Sequence, residues 1–148
     1  MIIQRTDSKN ADFIRLVRQL DFYLTEKDGE EHGFYDQYNK LDSIRHVLVV
    51  YEHDTAVSCG GFKEYSAGIV EIKRMYTVPE ARGKGYASLV LQNLEKWAAE
   101  LGYSKAILET GKRQEEALQF YPKNGYRLIP NYGQYAGVEN SLCFEKEF

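Results

Sequence analysis

A glycine-rich turn at residues 79–86 lies between an apolar segment with strand character and a long segment with helical periodicity. The turn therefore opens directly onto a helix N-terminus, where the first main-chain amides lack helical acceptors. Gly83 and Gly85 remove the β-carbons that would obstruct a ligand at those amides. The helix dipole adds a partial positive charge, and Arg82 and Lys84 add two full charges nearby. The sequence therefore predicts a binding site for a phosphate-bearing cofactor at this turn.

The turn does not match two common phosphate-binding patterns. The dinucleotide motif GxGxxG would need a third glycine where Ser88 stands, and the GxxxxGK[ST] pattern of the P-loop is absent. What remains is Arg82-x-x-Gly85-x-Ala87, preceded by Met75-Tyr76-Thr77-Val78-Pro79. This segment resembles the pyrophosphate-binding signature of the GNAT superfamily of acyl-CoA-dependent N-acyltransferases, which reads Gln or Arg-x-x-Gly-x-Gly or Ala.

Hydrophobic periodicity gives the order of elements along the 148 residues, which are too few for two ordinary domains. The patterns predict, in order, a short edge strand at 2–3, a helix at 11–24, a polar loop at 25–31, a short helix at 34–39, three antiparallel strands at 47–51, 56–65 and 69–78, a helix at 87–101, a strand at 105–109, a helix at 114–121, and strands at 126–129 and 141–148. We therefore expect one domain, 1–148.

This order is similar to that of the GNAT fold over the whole chain. The resemblance implies an α/β (α+β) three-layer fold with a mixed, mostly antiparallel sheet of six to seven strands, flanked by about four helices. A parallel central pair would splay apart and hold the acyl-pantetheine arm, which would pair with β-strand backbone as an added strand. The implied cofactor-binding residues are Met75, Tyr76, Thr77, Arg82, Gly83, Lys84, Gly85, Tyr86, Ala87 and Ser88.

Two glutamates are candidates for a general base. An alkyl amine is protonated at neutral pH, so acyl transfer to it requires a group that removes the proton. The resemblance implies an acid at Glu71 on the fourth strand or Glu109 on the fifth, since family members use either strand. Glu71 is preferred because side chains there flank the splay. Either carboxylate could instead be a solvated strand residue.

A second segment resembles the family pattern Ala-x-x-x-Tyr-x-x-x-Gly-Phe, with Ala117, Tyr121, Gly125 and Tyr126 at the matched places. Tyr121 then stands where the family keeps the proton donor for the departing thiolate. The alternative is an ordinary core tyrosine. Pro122 departs from the commoner pattern and predicts an early end of the helix, which would swing the Tyr121 hydroxyl.

The resemblance implies an N-acetyltransferase that moves an acetyl group from acetyl-CoA to a primary amine of a small molecule or peptide by direct attack. The alternative is a non-catalytic acyl-CoA-binding sensor or interaction module that kept the cofactor site and lost its base. No nucleophile motif supports a covalent enzyme intermediate, since neither Cys59 nor Cys143 has a base beside it in the motif-bearing segment.

Several surface segments are candidates for roles around the acceptor and the cofactor. The acceptor would enter between the loop after the first helix and a second loop, which either closes over it or is a plain connection. The second loop contains Tyr132, Gly133, Tyr135 and Ala136. An acidic set could attract a cationic acceptor, and two basic residues could meet the 3′-phosphate, although both sets are typical of solvated loops. The acidic set is Glu26, Asp28, Glu30 and Glu31, and the basic pair is Lys112 and Arg113.

Composition excludes other classes of function. A net charge of −3 and a pI near 5.7 argue against a dominant nucleic-acid surface. The absence of a signal-like or membrane-spanning apolar run predicts a cytoplasmic protein with no membrane partner. The two cysteines, Cys59 and Cys143, lie in apolar segments and are predicted to be reduced core thiols, and the scattered histidines predict no metal site. The oligomeric state stays open, with a homodimer among the alternatives.

Overall fold

The computed structural model describes residues 1–28 and 44–148, so the short helix predicted at 34–39 lies outside the described residues. Three α-helices are present in the described part: α1 (Ala11–Asp28), α2 (Tyr86–Glu100) and α3 (Glu115–Lys123). The strands are β1 (Ile2–Thr6), β2 (His46–Glu52), β3 (Thr55–Ser66), β4 (Ile69–Thr77), β5 (Lys105–Gly111), β6 (Arg127–Ile129) and β7 (Ser141–Glu147).

The seven strands form one mixed sheet in the order β1-β2-β3-β4-β5-β7-β6. Every neighbouring pair is antiparallel except β4 and β5, which are parallel. The crossover between these two strands is α2, and a helical crossover is what parallel pairing requires. The predicted α/β class, the mostly antiparallel sheet and the parallel central pair are confirmed. The described part contains three α-helices where about four were expected.

The first helix is longer than its periodicity predicts. Asn10 caps it through a hydrogen bond from the Phe13 amide to Asn10 Oδ1 at 2.9 Å. The helix continues through residues 25–28, so the prediction of a loop beginning at residue 25 is wrong. This segment has no glycine or proline before Gly29, and glutamate and lysine are good helix formers. A polar turn of helix exposed to water lacks apolar periodicity, which is why the pattern missed it.

The third helix passes through Pro122, although this proline was predicted to end it early. Pro122 is the last but one residue of α3, where its fixed φ is compatible with the helix and only one amide bond is lost. The chain reverses just beyond, where Gly125 has φ 89° and the Tyr126 amide donates to the Tyr121 carbonyl at 3.1 Å. Tyr121 therefore keeps helical geometry.

The two cysteines are both free and buried, as predicted. Burial raises the pKa of the Cys59 thiol to about 12 and that of Cys143 to about 11. Both groups are therefore neutral thiols at physiological pH, and thiols in that state are weak nucleophiles.

The central parallel strands diverge after a short contact. They pair with each other at Ile69↔Lys105, Val70↔Ala106 and Glu71↔Ile107. Beyond these residues β4 continues to Thr77 and β5 to Gly111, and the two strands no longer pair with each other. The predicted splay is therefore present. It opens the middle of the sheet beside the N-terminus of α2.

A β-bulge interrupts β4 just beyond the point of divergence. Cys59 pairs with Tyr76 and Gly61 with Lys73, so two residues of β4 lie opposite Gly60. Arg74, one of the two, has φ 62°, in the left-handed region. A β-carbon on residue 60 would lie 2.4 Å from Met75 Sδ, so a larger residue opposite the bulge would force the Met75 side chain to move.

Candidate active site

The glycine-rich turn forms an open cradle of main-chain amides. Gly83 has φ 79°, and Gly85, the N-cap residue of α2, has φ 85°. A β-carbon at either position would meet no atom within 4 Å, so both glycines face open space. No side chain caps α2, and its first turn begins with a bond from the Leu89 amide to the Gly85 carbonyl at 3.1 Å. Within residues 1–28 and 44–148, the amides of residues 83–88 have no acceptor. They can bind an anion.

A groove of about 350 Å³ runs from this cradle along the C-terminal half of β4, and we call it the cofactor groove. Nine of the ten residues predicted to bind the cofactor line it, whereas Lys84 is exposed outside it. The nine are Met75, Tyr76, Thr77, Arg82, Gly83, Gly85, Tyr86, Ala87 and Ser88. The opposite wall comes from α3 and includes Ala117, Phe120 and Tyr121.

The backbone of β4 turns polar groups toward this groove. The Val78 amide donates to Val57 O of β3 at 2.9 Å. In an antiparallel pair, the main-chain groups of every second residue bond to the partner strand, and those of the residues between face the other way. Tyr76 therefore also bonds toward β3, while the main-chain groups of Met75 and Thr77 face the gap left by β5. Arg82 Nε donates to the Thr77 carbonyl at 3.0 Å from that side. This edge of β4 can accept an extended ligand as an added strand.

Helix α1 holds the basic side chain of the cradle in place. The Arg82 guanidinium carbon lies 5.9 Å from the centre of the Tyr23 ring and 5.7 Å from that of Tyr76. The Tyr76 hydroxyl donates to Gln19 Oε1 at 3.2 Å. Sequence analysis missed Gln19 and Tyr23, because nothing in the pattern of α1 indicates which turn meets β4.

A second, smaller space of about 90 Å³ lies where β4 and β5 diverge, and we call it the inner cavity. Its polar lining comprises Glu71, Lys73, Arg74, Glu109, Thr110, Gln114, Tyr121 and Tyr135. Four residues line both this cavity and the cofactor groove: Leu20, Met75, Gln114 and Tyr121. The two spaces are therefore adjacent, and the Tyr121 side chain lines both.

Glu71 is a buried, fully engaged carboxylate. Its residue exposure is 2%, and its Oε2 accepts a 2.6 Å hydrogen bond from the Tyr132 hydroxyl. The ammonium groups of Lys63 and Lys73 each lie 3.9 Å from its Oε1. Burial, with the neighbouring Glu71 charge second, raises the pKa of Tyr132, so this phenol stays a hydrogen-bond donor. The alternative of a solvated strand residue does not describe Glu71.

Glu109 reaches the same cavity from β5. It is half-buried, and its Oε2 accepts a hydrogen bond from Ser141 Oγ at 2.7 Å. Continuing the register from Glu71↔Ile107 places Lys73 level with Glu109 across the gap. The structure thus brings both predicted carboxylates together and adds Lys73, which sequence analysis missed. Strand alternation could have found it, since residues 71 and 73 share a face of β4.

Lys73 is a buried ammonium group between these acids. Burial lowers its pKa, while the negative charges of Glu71 and Glu109 act in the opposite direction. Its neighbour Arg74 is also buried and forms an ion pair with Asp21 of α1. The inner cavity is therefore lined by charges of both signs.

Tyr121 is buried, with 8% of its surface exposed, in contact with the rings of Phe120, Tyr126 and Phe144. Burial, assisted by the negative charge of Glu109, raises its pKa. The phenol is therefore neutral and holds its proton at the junction of the two cavities. This placement combines the two alternatives, because the tyrosine packs in the core and also lines the site.

The tyrosine-rich loop before β7 covers the inner cavity. Tyr135 is 2% exposed and lines the cavity, and its ring lies 5.7 Å from that of Tyr132. Asn131 Nδ2 donates to the carbonyls of Val138 and Ser141, both at 3.0 Å, and so holds the loop closed on itself. Tyr135 thus lines the inner cavity and Tyr132 bonds to Glu71, while Gly133 and Ala136 are exposed, and closure of the loop over an acceptor stays a prediction.

The other candidate residues that the structure describes do not line the two cavities. Lys112 and Arg113 are exposed, and Arg113 Nη1 donates to the Lys27 carbonyl at 3.4 Å. Glu26 is exposed on α1. Glu30 and Glu31 lie outside the described residues, as does the side chain of Asp28. Among residues 1–28 and 44–148, no group of three His, Cys, Asp or Glu side chains could hold a metal ion. In the same part of the chain, every helix is too short or too polar to cross a bilayer.

Comparison with known proteins gives a consistent result. A family model for the acetyltransferase (GNAT) family matches residues 12–126. The chain is 30% identical over 135 residues to an IAA acetyltransferase of Azospirillum brasilense, covering 90% of this chain and 88% of that protein. A solved structure from Klebsiella pneumoniae, provisionally assigned as an acyl-CoA N-acyltransferase, superposes with a TM-score of 0.82 at 26% identity, covering 99% and 96% of the chains. A GNAT acetyltransferase of Elizabethkingia anophelis with acetyl-CoA bound gives 0.73 at 16% identity, covering 99% and 97%.

A sheet that opens between two parallel strands, beside a helix N-terminus with open amides, defines the class of acyl-CoA-dependent N-acyltransferases. The family model matches most of the chain, so the sequence agrees with the class that the fold indicates. The chain belongs to the GNAT acetyltransferase family.

Proposed function

We propose that this protein, acting as a single domain, transfers the acetyl group of acetyl-CoA to the primary amine of a small molecule or peptide by direct attack. The observation that carries the proposal is that the cofactor groove and the inner cavity are adjacent and share Tyr121 in their lining. A donor in the groove and an acceptor in the cavity would then have their reacting atoms next to a neutral phenol. The related structure with acetyl-CoA bound supports the choice of donor.

The residues of the groove fit this donor. The amides of residues 83–88 and the Arg82 guanidinium supply hydrogen-bond donors and positive charge for a diphosphate. The main-chain groups of Met75 and Thr77 can pair with the amides of a pantetheine arm. Acetyl-CoA would supply the activated thioester, and this chain would supply its orientation and the two proton transfers.

The surroundings of the two carboxylates favour Glu109 as the group that removes the amine proton. Glu71 accepts a hydrogen bond from Tyr132 through Oε2 and lies 3.9 Å from two ammonium groups through Oε1, so both of its oxygens are in contact with the protein's own polar groups. Glu109 lines the same cavity, is half-buried and lies close enough to Tyr121 to raise the pKa of that phenol. We therefore assign Glu71 to fixing Tyr132 and keep it as the alternative base.

Tyr121 is the proposed donor of a proton to the departing thiolate. Its phenol is buried and neutral, and the residue lines both spaces. Direct attack is favoured over a covalent enzyme intermediate because both cysteines are buried thiols with raised pKa values.

The experiment is a thiol-release assay with acetyl-CoA over a panel of primary amines, combined with calorimetric titration of acetyl-CoA. We expect turnover with at least one class of amine, and a decrease of about 100-fold or more in kcat for Glu109→Gln. The exposed Glu139→Gln serves as a control for loss of one carboxylate. Binding of acetyl-CoA without thiol release for any amine would instead favour the non-catalytic binding module.

A further inference from the structure

We infer that the acceptor is a small zwitterion, an amine that also carries a carboxylate, and that Lys73 binds this carboxylate while Glu109 binds the amine. The inference rests on the proposed function, since it names the class of substrate for that site. It is carried by the arrangement of charges and an unpartnered hydroxyl in the inner cavity.

The charges that line the inner cavity are balanced. Two are carboxylates, Glu71 and Glu109, and two are cations, Lys73 and Arg74. Lys73 and Arg74 are 7% and 6% exposed, so water screens them weakly. A cavity that selects a polycation, such as a polyamine, needs an excess of negative charge, and the buried Lys73 ammonium would repel such an acceptor, whereas Arg74 is paired with Asp21 of α1. A zwitterion matches both signs.

The strand register puts opposite charges on the two sides of the gap. Lys73 on β4 is level with Glu109 on β5 when the Glu71↔Ile107 pairing is continued. The Glu109 charge acts on the Lys73 ammonium, so the two groups lie within electrostatic range of each other. An amino acid presents an ammonium and a carboxylate a few bonds apart, and it could bridge this gap with each group against its opposite charge.

Lys73 can take part in such a contact while keeping its present neighbours. Its Nζ lies 3.9 Å from Glu71 Oε1, which is an ion pair longer than a hydrogen bond. An ammonium group has three N–H donors and can be shared between a protein carboxylate and a ligand carboxylate. Lys63 lies at the same 3.9 Å from the same oxygen but does not line the inner cavity. The two lysines therefore differ in access to a ligand and not in their contact with Glu71.

A buried hydroxyl in the same cavity points independently to a polar ligand. Thr110 is 4% exposed and lines the cavity, and within the described chain its Oγ1 has no hydrogen-bond partner. Buried polar atoms are almost always satisfied in folded proteins, so this hydroxyl is open to a hydrogen bond with a water or with a polar ligand in the cavity. Thr110 follows Glu109 directly on β5, and both residues line the cavity although successive side chains leave opposite faces of a strand.

The experiment compares matched acceptors that differ only at the acidic group. Alanine and serine are each assayed beside their carboxamides and their decarboxylated amines, with thiol release as the readout. We expect the wild type to prefer the acids. In Lys73→Gln we expect the ratio of kcat/KM for the acid to kcat/KM for the carboxamide to fall on the order of 30-fold, mainly through KM for the acid. Lys63→Gln should leave the ratio of acid to carboxamide as in the wild type.

Two results would overturn the inference. The first is a wild type that uses carboxamides as well as acids. The second is equal behaviour of Lys73→Gln and Lys63→Gln on both acceptors, which would show that Lys73 only balances the charge of Glu71.

A binding measurement separates this inference from the proposed function. The same acids are titrated calorimetrically onto the protein saturated with CoA, where no turnover occurs. Binding that weakens in Lys73→Gln but not in Lys63→Gln supports the zwitterion site even if no amine is acetylated. Absence of any binding of the acids, with turnover of other amines intact, overturns the inference and leaves the proposed function standing.

Discussion

Substitution of Gly85 tests the amide cradle directly. This residue is the N-cap of α2 with φ 85°, and a β-carbon there would meet nothing within 4 Å. A side chain at this position therefore meets open space without a clash. The backbone strain of a residue other than glycine can be measured separately from the effect of its side chain on the ligand. Gly85→Ala isolates the strain, which we expect to lower the free energy of unfolding by about 1–2 kcal/mol.

Gly85→Glu adds a negative charge where the diphosphate would lie. Two unit charges 4 Å apart interact by about 4 kcal/mol at an effective dielectric constant of 20 and by about 1 kcal/mol in bulk water. The cradle is exposed on one side, so we expect a repulsion between these limits. Relative to Gly85→Ala, the affinity for CoA should fall by about 5- to 1000-fold, at 1.4 kcal/mol for each tenfold change.

Calorimetric titration of CoA onto the wild type and the Ala, Glu and Lys variants at position 85 measures this effect. Gly85→Lys has similar bulk to Gly85→Glu and the opposite charge, so the difference between these two variants is electrostatic and should shrink as salt is added. Equal affinities of the Glu, Lys and Ala variants would refute the placement of the diphosphate at these amides.

Three further predictions concern Tyr132, Tyr121 and His46. Tyr132→Phe removes a donor to the buried Glu71 carboxylate and should lower the free energy of unfolding in urea by about 1.5–3 kcal/mol, whereas the exposed Tyr65→Phe should change it by less than about 0.5 kcal/mol. Burial raises the pKa of Tyr121, so the pH profile of kcat should show no loss of activity near the ordinary tyrosine pKa of about 10. Tyr121→Phe should lower kcat by about 100-fold or more. A decrease of kcat at alkaline pH in the wild type that is absent in Tyr121→Phe would contradict this. Burial lowers the pKa of His46, so its contribution to stability is complete above the unfolded value of about 6.5 and is lost as the pH falls through the folded value. Urea unfolding between about pH 7 and pH 5 should then show a weaker pH dependence in His46→Gln, and equal slopes would argue against it.

The elements of the fold were predictable because their signals are local. Helix α2 and the strands β2 to β5 have clear periodicities, and the cradle depends on a short motif at one turn. The extension of α1 to Asp28 and the passage of α3 through Pro122 were missed. In both cases the helix continues because no residue stops it, and a helix that continues for this reason has no apolar periodicity to reveal it.

The site was predictable only in its motif-bearing part. Glu71, Glu109 and Tyr121 come from matched positions, and the structure gathers them around one cavity. The hydrogen bond from Tyr132 to Glu71 joins residues 61 positions apart, and no local pattern encodes it. Lys73 shares a strand face with Glu71, so alternation contains the signal, but the sequence does not indicate that this face is covered.

The bulge at Arg74 lies between the parts of β4 that line the two cavities. Before it, Glu71 and Lys73 line the inner cavity, and Arg74 itself reaches α1 through Asp21. Beyond it, the strand continues along the cofactor groove to Thr77, with alternate main-chain groups facing the gap. A regular strand would keep the same alternation throughout, whereas an extra residue shifts it by one position. The side chains of Glu71 and Lys73 therefore leave the strand in a different alternation from those of Tyr76 and Thr77. Opposite the bulge, a β-carbon at residue 60 would lie 2.4 Å from Met75 Sδ, so a larger residue there would move a side chain that lines both cavities, although Gly60 itself lines neither.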